Sequence, residues 1–217
     1  MLPAGWQHRL GKGVRVGVCD TGIDPSVRCL RGRVERQKAF GPVNAHHGTF
    51  VCSTVLRVAP RAHLVVASCL FPSVETLLEM VRWADSQGVD VLNLSLSFGA
   101  QSPCAEELCD YLLGMVSRGV AVVCAYSERQ PLPWSRVGLV AGRDFCPPRE
   151  ATAYTAGNVV TTMRGTSISC ALVSGMMALC RAVNPAYTGD DFIKEVRPED
   201  LPLQPIDTPT RQYIVHE

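Results

Sequence analysis

The sequence predicts an α/β fold: a doubly wound, mainly parallel sheet with helices on both faces. Two observations carry this. Short apolar runs alternate with longer helix-like ones, and the short runs are apolar at successive positions, as strands covered on both sides must be. A third sets the scale. At 217 residues, 47% of them hydrophobic, the chain can bury one sizeable core. It is therefore read as a single domain, 1–217, with a core over about 13–185 and a C-terminal helix and Pro-rich tail over 186–217.

The elements follow in order. "VRVGVCD" (14–20) reads as a buried strand, "GTFVCSTVLRVA" (48–59) as a helix and "HLVVASCL" (63–70) as a strand. "SVETLLEMVRWADSQG" (73–88) is the clearest amphipathic helix. Ser73 can cap it, Leu77, Met80 and Trp83 share one side, and Gly88 ends it. A strand at 89–97, a helix near 104–118, a strand at 120–126 and a shorter one at 137–141 come next. "RGTSISCALVSG" (164–175) opens a helix whose small face, Ala171, Ser174, Gly175 and Ala178, suits close packing. That helix stops before Asn184-Pro185. "GDDFIKEV" (189–196) is a last helix, and residues 198–209 form an extended tail on the surface.

Charge excludes some functions. Lys and Arg number 21 against 20 Asp and Glu, so nothing electrostatic favours nucleic acid or a membrane surface. The 16 residues between Arg164 and Arg181 are too few for a spanning helix. "MLPAGWQHRL" lacks the basic start and apolar core of a secretion signal, and a cytoplasmic location is expected.

The ten cysteines fit that location. Cys19, Cys69 and Cys124 sit in strand-like runs, and Cys52, Cys170 and Cys180 in helix-like ones, where reduced cysteine acts as a small hydrophobe. No pair has C-x-x-C spacing, and Cys104 and Cys109, five apart on a helix, are poorly placed for zinc. No metal or cofactor is expected.

Three short motifs carry chemistry. "CDTGID" places Asp20 at a strand end, where parallel sheets put their sites. "NAHHGTF" places His47 at a helix start, and "RGTSISC" places Ser167 at another. Singly, each has a plain reading: a turn, surface histidines, a helix cap. Together, in this order and context, they resemble the subtilisin-like serine peptidases, or subtilases, over about residues 13–185.

The resemblance implies a serine endopeptidase working through an acyl-enzyme. Ser167 is the nucleophile, His47 the general base and Asp20 the carboxylate that orients it. The Ser167 backbone N–H, at a helix N-terminus, faces the oxyanion. Thr166 and Ser169 are left to cap the helix. His46 is the rival base, and the His-Gly-Thr pattern selects His47 over it. A His46-His47 metal site lacks a third ligand. An aspartic-peptidase reading of "DTG" needs a β fold that this alternation denies.

The substrate, a peptide or protein, would lie as an extended strand along Ser95, Leu96 and Ser97, with Cys124, Ala125 and Tyr126 on the opposite wall. The pattern breaks after that wall. Subtilases place there a Gly-Asn pair whose Asn is the second oxyanion donor, and "VVCAYSERQ" puts Ser127 and Glu128 in their places. No Asn occurs between Asn93 and Asn158. Either Glu128 turns away and Ser127, Tyr126 or Gln130 donates, or activity is low; a protonated Glu128 could donate only if burial raised its pKa strongly, and the turned-away carboxylate with weak catalysis is expected. Trimmed loops, with no propeptide or calcium loop apparent, suggest narrow intracellular peptide processing or maturation. The alternative is a weak or inactive pseudo-peptidase that keeps the groove as a peptide-binding module. Either leaves room for a partner protein.

Overall fold

Strands apolar at every position need cover on both sides, and the sequence order of the elements provides it. The computed structural model describes residues 1–96, 102–127 and 137–206. Its main sheet joins β1 (Arg15–Asp20), β2 (Val34–Ala39), β3 (His63–Ser68), β4 (Val91–Leu94), β5 (Ala121–Ala125) and β6 (Leu139–Ala141). The spatial order is β2-β3-β1-β4-β5-β6, and every neighbouring pair is parallel. From β1 the chain goes first to the edge strand β2, returns to place β3 beside β1, and then crosses to the other side of β1 for β4, β5 and β6. The carboxyl end of β1 therefore lies at the switch point, where such folds open a crevice.

Alternate strand residues enter two cores. Val16, Val18, Leu64, Val66, Val91 and Val123 pack beneath α2 (Ala45–Val58) and α5 (Thr166–Val183). Cys19, Val65, Ala67, Leu92, Leu94, Val122 and Val140 pack beneath α3 (Val74–Ser86) and α4 (Ala105–Ser117). A short α1 (Trp6–Arg9) precedes the sheet and α6 (Gly189–Glu195) follows it. The doubly wound class expected from sequence is the class observed.

The small face of α5 does what its composition suggests. A Cβ on Gly175 would lie 2.6 Å from Val58 Cβ and 3.0 Å from the Val55 carbonyl, so α2 and α5 touch almost backbone to backbone. By length and composition α5 could cross a membrane, being longer than the 16-residue run suggested, yet the domain buries residues 168–181 in its core.

Several local expectations need correction. Ser73 caps α3 by accepting from the Thr76 N–H, but Trp83 lies at the core margin, edge-on to Phe40, while Leu78, Val81 and Ala84 complete the buried stripe. The strand read at 89–97 pairs only over Val91–Leu94. The tail is pinned: Pro198–Asp200 forms a 3₁₀ turn, and the Arg57 Nε donates to the Gln204 carbonyl at 2.9 Å. Residues 207–209 of that tail lie outside the described residues.

Two features were missed. β2 is "VERQKA", almost wholly exposed, and a polar edge strand gives no apolar run to read. The antiparallel hairpin of β7 (Glu150–Thr155) and β8 (Val159–Arg164) turns through Gly157 and Asn158, both in the left-handed region. That Gly-Asn pair between two runs rich in Thr and Val was the available signal.

Candidate active site

The site is a seam between the end of β1 and the start of α2. Thr21 ties its two sides: its hydroxyl donates to the Asn44 carbonyl at 2.8 Å and accepts from the Gly48 N–H at 3.3 Å. Gly22 and Gly48 let the backbones meet. A Cβ on Gly48 would lie 2.2 Å from the Gly22 carbonyl oxygen, and one on Gly22 3.0 Å from Val43 Cβ. Thr49, fully buried, accepts from the Asp24 N–H at 2.8 Å and anchors the loop beyond. Every residue of "DTG" and of "HGT" thus has a place in one interface.

That interface joins Asp20 to His47. His47 Nδ1 donates to Asp20 Oδ1 at 2.7 Å, since a carboxylate can only accept. The Thr21 N–H also reaches Oδ1, at 2.7 Å. Asp20 is wholly buried, and its Oδ2 has no hydrogen-bond partner among the described residues. Burial pulls the His47 pKa down, but the hydrogen bond and charge of Asp20 outweigh it, so His47 holds its proton more tightly than an ordinary histidine. The imidazole remains 35% exposed, open on its other nitrogen.

His46 points away from this pair. It is exposed, its backbone N–H donates to the Asn44 side chain that caps α2, and its carbonyl accepts from Thr155. Among the described residues no group of three or more His, Cys, Asp or Glu is placed to hold a metal ion.

Ser167 stands at the first turn of α5, delivered by β8. The helix cap is Gly165, without a side-chain bond, which corrects the capping roles expected of Thr166 and Ser169. Thr166 is the first helical residue, and buried Ser169 donates to the Pro148 carbonyl at 3.2 Å. The N–H groups of Ile168 and Ser169 turn back to the Gly165 carbonyl, leaving those of Thr166 and Ser167 as the free donors of the helix start. The Ser167 hydroxyl donates to the Ser95 carbonyl at 3.2 Å, and the Ser95 hydroxyl to the Ser167 carbonyl at 3.1 Å. No hydrogen bond joins Ser167 to His47 among the described residues. The structure therefore brings Asp20 and His47 together and holds the Ser167 hydroxyl on Ser95 instead.

The expected substrate residues divide. Ser95 and Leu96 follow β4 with their side chains buried, so any peptide pairing there is through the main chain. Cys124 and Ala125 are buried in β5, one toward each core. Tyr126 is half-buried beside the start of α5: a Cβ on Gly142 would lie 3.3 Å from Tyr126 Cβ and 3.5 Å from Thr166 Cγ2. Ser127 is half-buried at the end of that segment. Ser97, Glu128 and Gln130 lie outside the described residues.

Sequence reasoning missed one supporting residue. Asn93, fully buried on β4, donates to Ser174 Oγ at 2.9 Å and to Cys170 Sγ at 3.1 Å, fastening α5 to the sheet below Ser167. An Asn inside "VLNLSL" was the signal, since a buried amide must find partners.

A protein-family model described as Peptidase_S8, subtilase family, matches residues 11–144 and 140–216. M-protease of Shouchella clausii (strain KSM-K16) is 30% identical over 218 residues, which cover 82% of this chain and 56% of M-protease. Against that relative the chain spans little more than half the length. Subtilisin Savinase of Lederbergia lenta is also 30% identical, over 82% of this chain and 80% of Savinase. The crystal structure of a cold adapted subtilisin-like serine proteinase superposes with a TM-score of 0.71 at 23% identity, covering 85% of this chain and 81% of that one, a likeness of fold.

Proposed function

The chain belongs to the subtilase family, and from that premise we propose that it is a serine endopeptidase of narrow substrate range that acts on peptides inside the cell. The observation that carries the reading is the 2.7 Å bond between His47 and wholly buried Asp20. It fixes the Nδ1–H tautomer and leaves Nε2 free to take a proton. Ser167 Oγ leaves the Ser95 carbonyl by rotating about its Cα–Cβ bond, gives its proton to Nε2 and attacks the scissile carbonyl carbon. Serine–histidine contacts in unliganded enzymes are often loose and tighten with substrate. His47 then protonates the leaving amine, and water, deprotonated by the same nitrogen, releases the acyl group from Ser167.

The N–H groups at the start of α5 receive the oxyanion. With no Asn between Asn93 and Asn158, the second donor comes from Tyr126, Ser127, Gln130 or a protonated Glu128, or is lacking. Loss of one such donor costs about 10²–10³ in turnover, a figure known from a subtilisin. Slow turnover suits maturation of a specific peptide better than digestion. None of the ten cysteines is joined in a disulfide, in keeping with a reducing compartment.

The Ser167–Ser95 bond favours a second reading, a peptide-binding module with an idle serine. A fluorophosphonate probe separates the two. The peptidase reading expects labelling at Ser167, abolished by Ser167→Ala and His47→Ala but kept by His46→Ala. An unlabelled, folded protein that still binds peptides establishes the module instead.

A further inference from the structure

A cavity of about 370 Å³ opens at the edge of the sheet opposite the triad. It is lined by Ala121 and Leu139, the first residues of β5 and β6, whereas Asp20 is the last residue of β1. Arg181, which also lines it, is fourteen residues beyond Ser167 on α5, about 21 Å along the helix. This space is separate from the peptide site.

Its accessible apolar walls are Val116, Val120 and Ile193. Thr188 and Asp190, also in the lining, are polar and exposed, and the third polar residue is Arg181. It is only 8% exposed, and its Nε is buried without a hydrogen-bond partner. Among the described residues no carboxylate forms an ion pair with it. Asp90 supports the charge through space, but the Asp90 carboxylate itself accepts from the Arg15 N–H at 2.8 Å. A guanidinium whose Nε is buried without a partner is costly, and a methionine or leucine would fill the same place without that cost. A charge retained in an apolar cavity of ligand size is the arrangement that recognises an anionic group on an apolar body.

We propose that this cavity binds a small monocarboxylate with an apolar tail, its carboxylate on Arg181 and its tail along Val116, Val120 and Ile193. The walls and the rim decide the class. A phosphate gains nothing from apolar walls, and Asp190, exposed at the rim, repels a dianion more than a monoanion.

Thermal denaturation of the full chain, at constant ionic strength, tests this with sodium octanoate, octan-1-ol and inorganic phosphate as probes. Octanoate should raise the melting temperature in a concentration-dependent way, and the other two should not match it. Arg181→Met should lose the octanoate response while melting no lower than wild type without ligand. Should that variant fail to fold, Ile193→Asp at the exposed lip should fold and lose the response. Asp190→Asn should tighten octanoate binding roughly 1.4- to 5-fold, the range expected for one exposed charge pair. Ser167→Ala should respond as wild type does, which keeps the result independent of peptidase activity. The proposal is overturned if octanoate gives no shift, if octan-1-ol or phosphate shifts equally, or if Arg181→Met responds fully.

Discussion

Replacing Gly48 by alanine tests whether the seam between β1 and α2 assembles the site. The added Cβ would lie 2.2 Å from the Gly22 carbonyl oxygen, 3.0 Å from its carbon and 3.1 Å from its nitrogen. All three are backbone atoms, so no side chain can turn aside. Restoring ordinary contact requires the start of α2 to retreat by roughly 1 Å. His47 precedes Gly48 and moves with it. A displacement of that size takes the 2.7 Å His47–Asp20 bond out of hydrogen-bonding range. Misplacement of about 1 Å costs about 10²-fold, and full loss of the orienting carboxylate about 10⁴-fold; Gly48→Ala should fall between these. Overpacking should also cost about 1–3 kcal/mol of stability.

The assay is the rate of fluorophosphonate labelling at Ser167, followed by kcat/KM on a cleaved peptide, with melting curves alongside. Gly189→Ala is the control, because a Cβ there meets nothing within 4 Å. It should label at the wild-type rate. If Gly48→Ala labels and turns over like wild type while remaining folded, the glycine contact does not set the His47 position.

Two further predictions concern protons and thiols. Because Asp20 holds the His47 pKa above 6.5 despite burial, kcat/KM should fall on the acid side with a midpoint above 6.5. Asp20→Asn should bring that midpoint below 6.5 and slow the reaction about 10⁴-fold. A raised folded pKa stabilises below the unfolded value and ceases to as pH rises through the folded one. The contribution of the His47–Asp20 pair to melting temperature should therefore be full well below the ordinary histidine value and shrink as pH rises above it, through the raised folded pKa. Native alkylation should find ten free thiols, exposed Cys146 reacting well before Cys170 and Cys180, whose thiols burial pushes up to about 12. A disulfide found by mass spectrometry would contradict the intracellular reading.

Legibility followed burial. Strands buried on both faces declare themselves as apolar runs, so β1, β3, β5 and β6 were readable from sequence. Exposed β2 and the hairpin of β7 and β8 carry Thr, Glu, Arg and Lys, and their pairing depends on neighbours the local sequence does not name. Asp20 and His47 were legible because motif residues around them, Thr21, Gly22, Gly48 and Thr49, are all consumed in one interface. The helix cap was not. "GTSIS" offers three hydroxyls within four residues, and tertiary partners, Ser95 and the Pro148 carbonyl, won two of them over capping.

The placement of Ser167 separates a fixed part from a movable one. Along α5, Cys170 Sγ reaches the Val123 carbonyl at 3.3 Å, Ser174 receives Asn93, and Gly175 abuts Val58. These contacts fall on successive turns of one helix, so its axis and its first N–H groups cannot shift without breaking several buried interactions together. The hydroxyl of Ser167 has no such support. One 3.2 Å bond to the Ser95 carbonyl holds it, and an ordinary hydrogen bond of that kind is worth only about 1 kcal/mol net. A staggered rotation exchanges that acceptor for another at little cost. On the peptidase reading, the N–H groups at the start of α5 are built into the fold, while the Ser167 hydroxyl needs a single torsion to change acceptor. On the peptidase reading, a peptide that pairs with the main chain at Ser95 and Leu96 approaches the same carbonyl, so that substrate binding itself would free the hydroxyl.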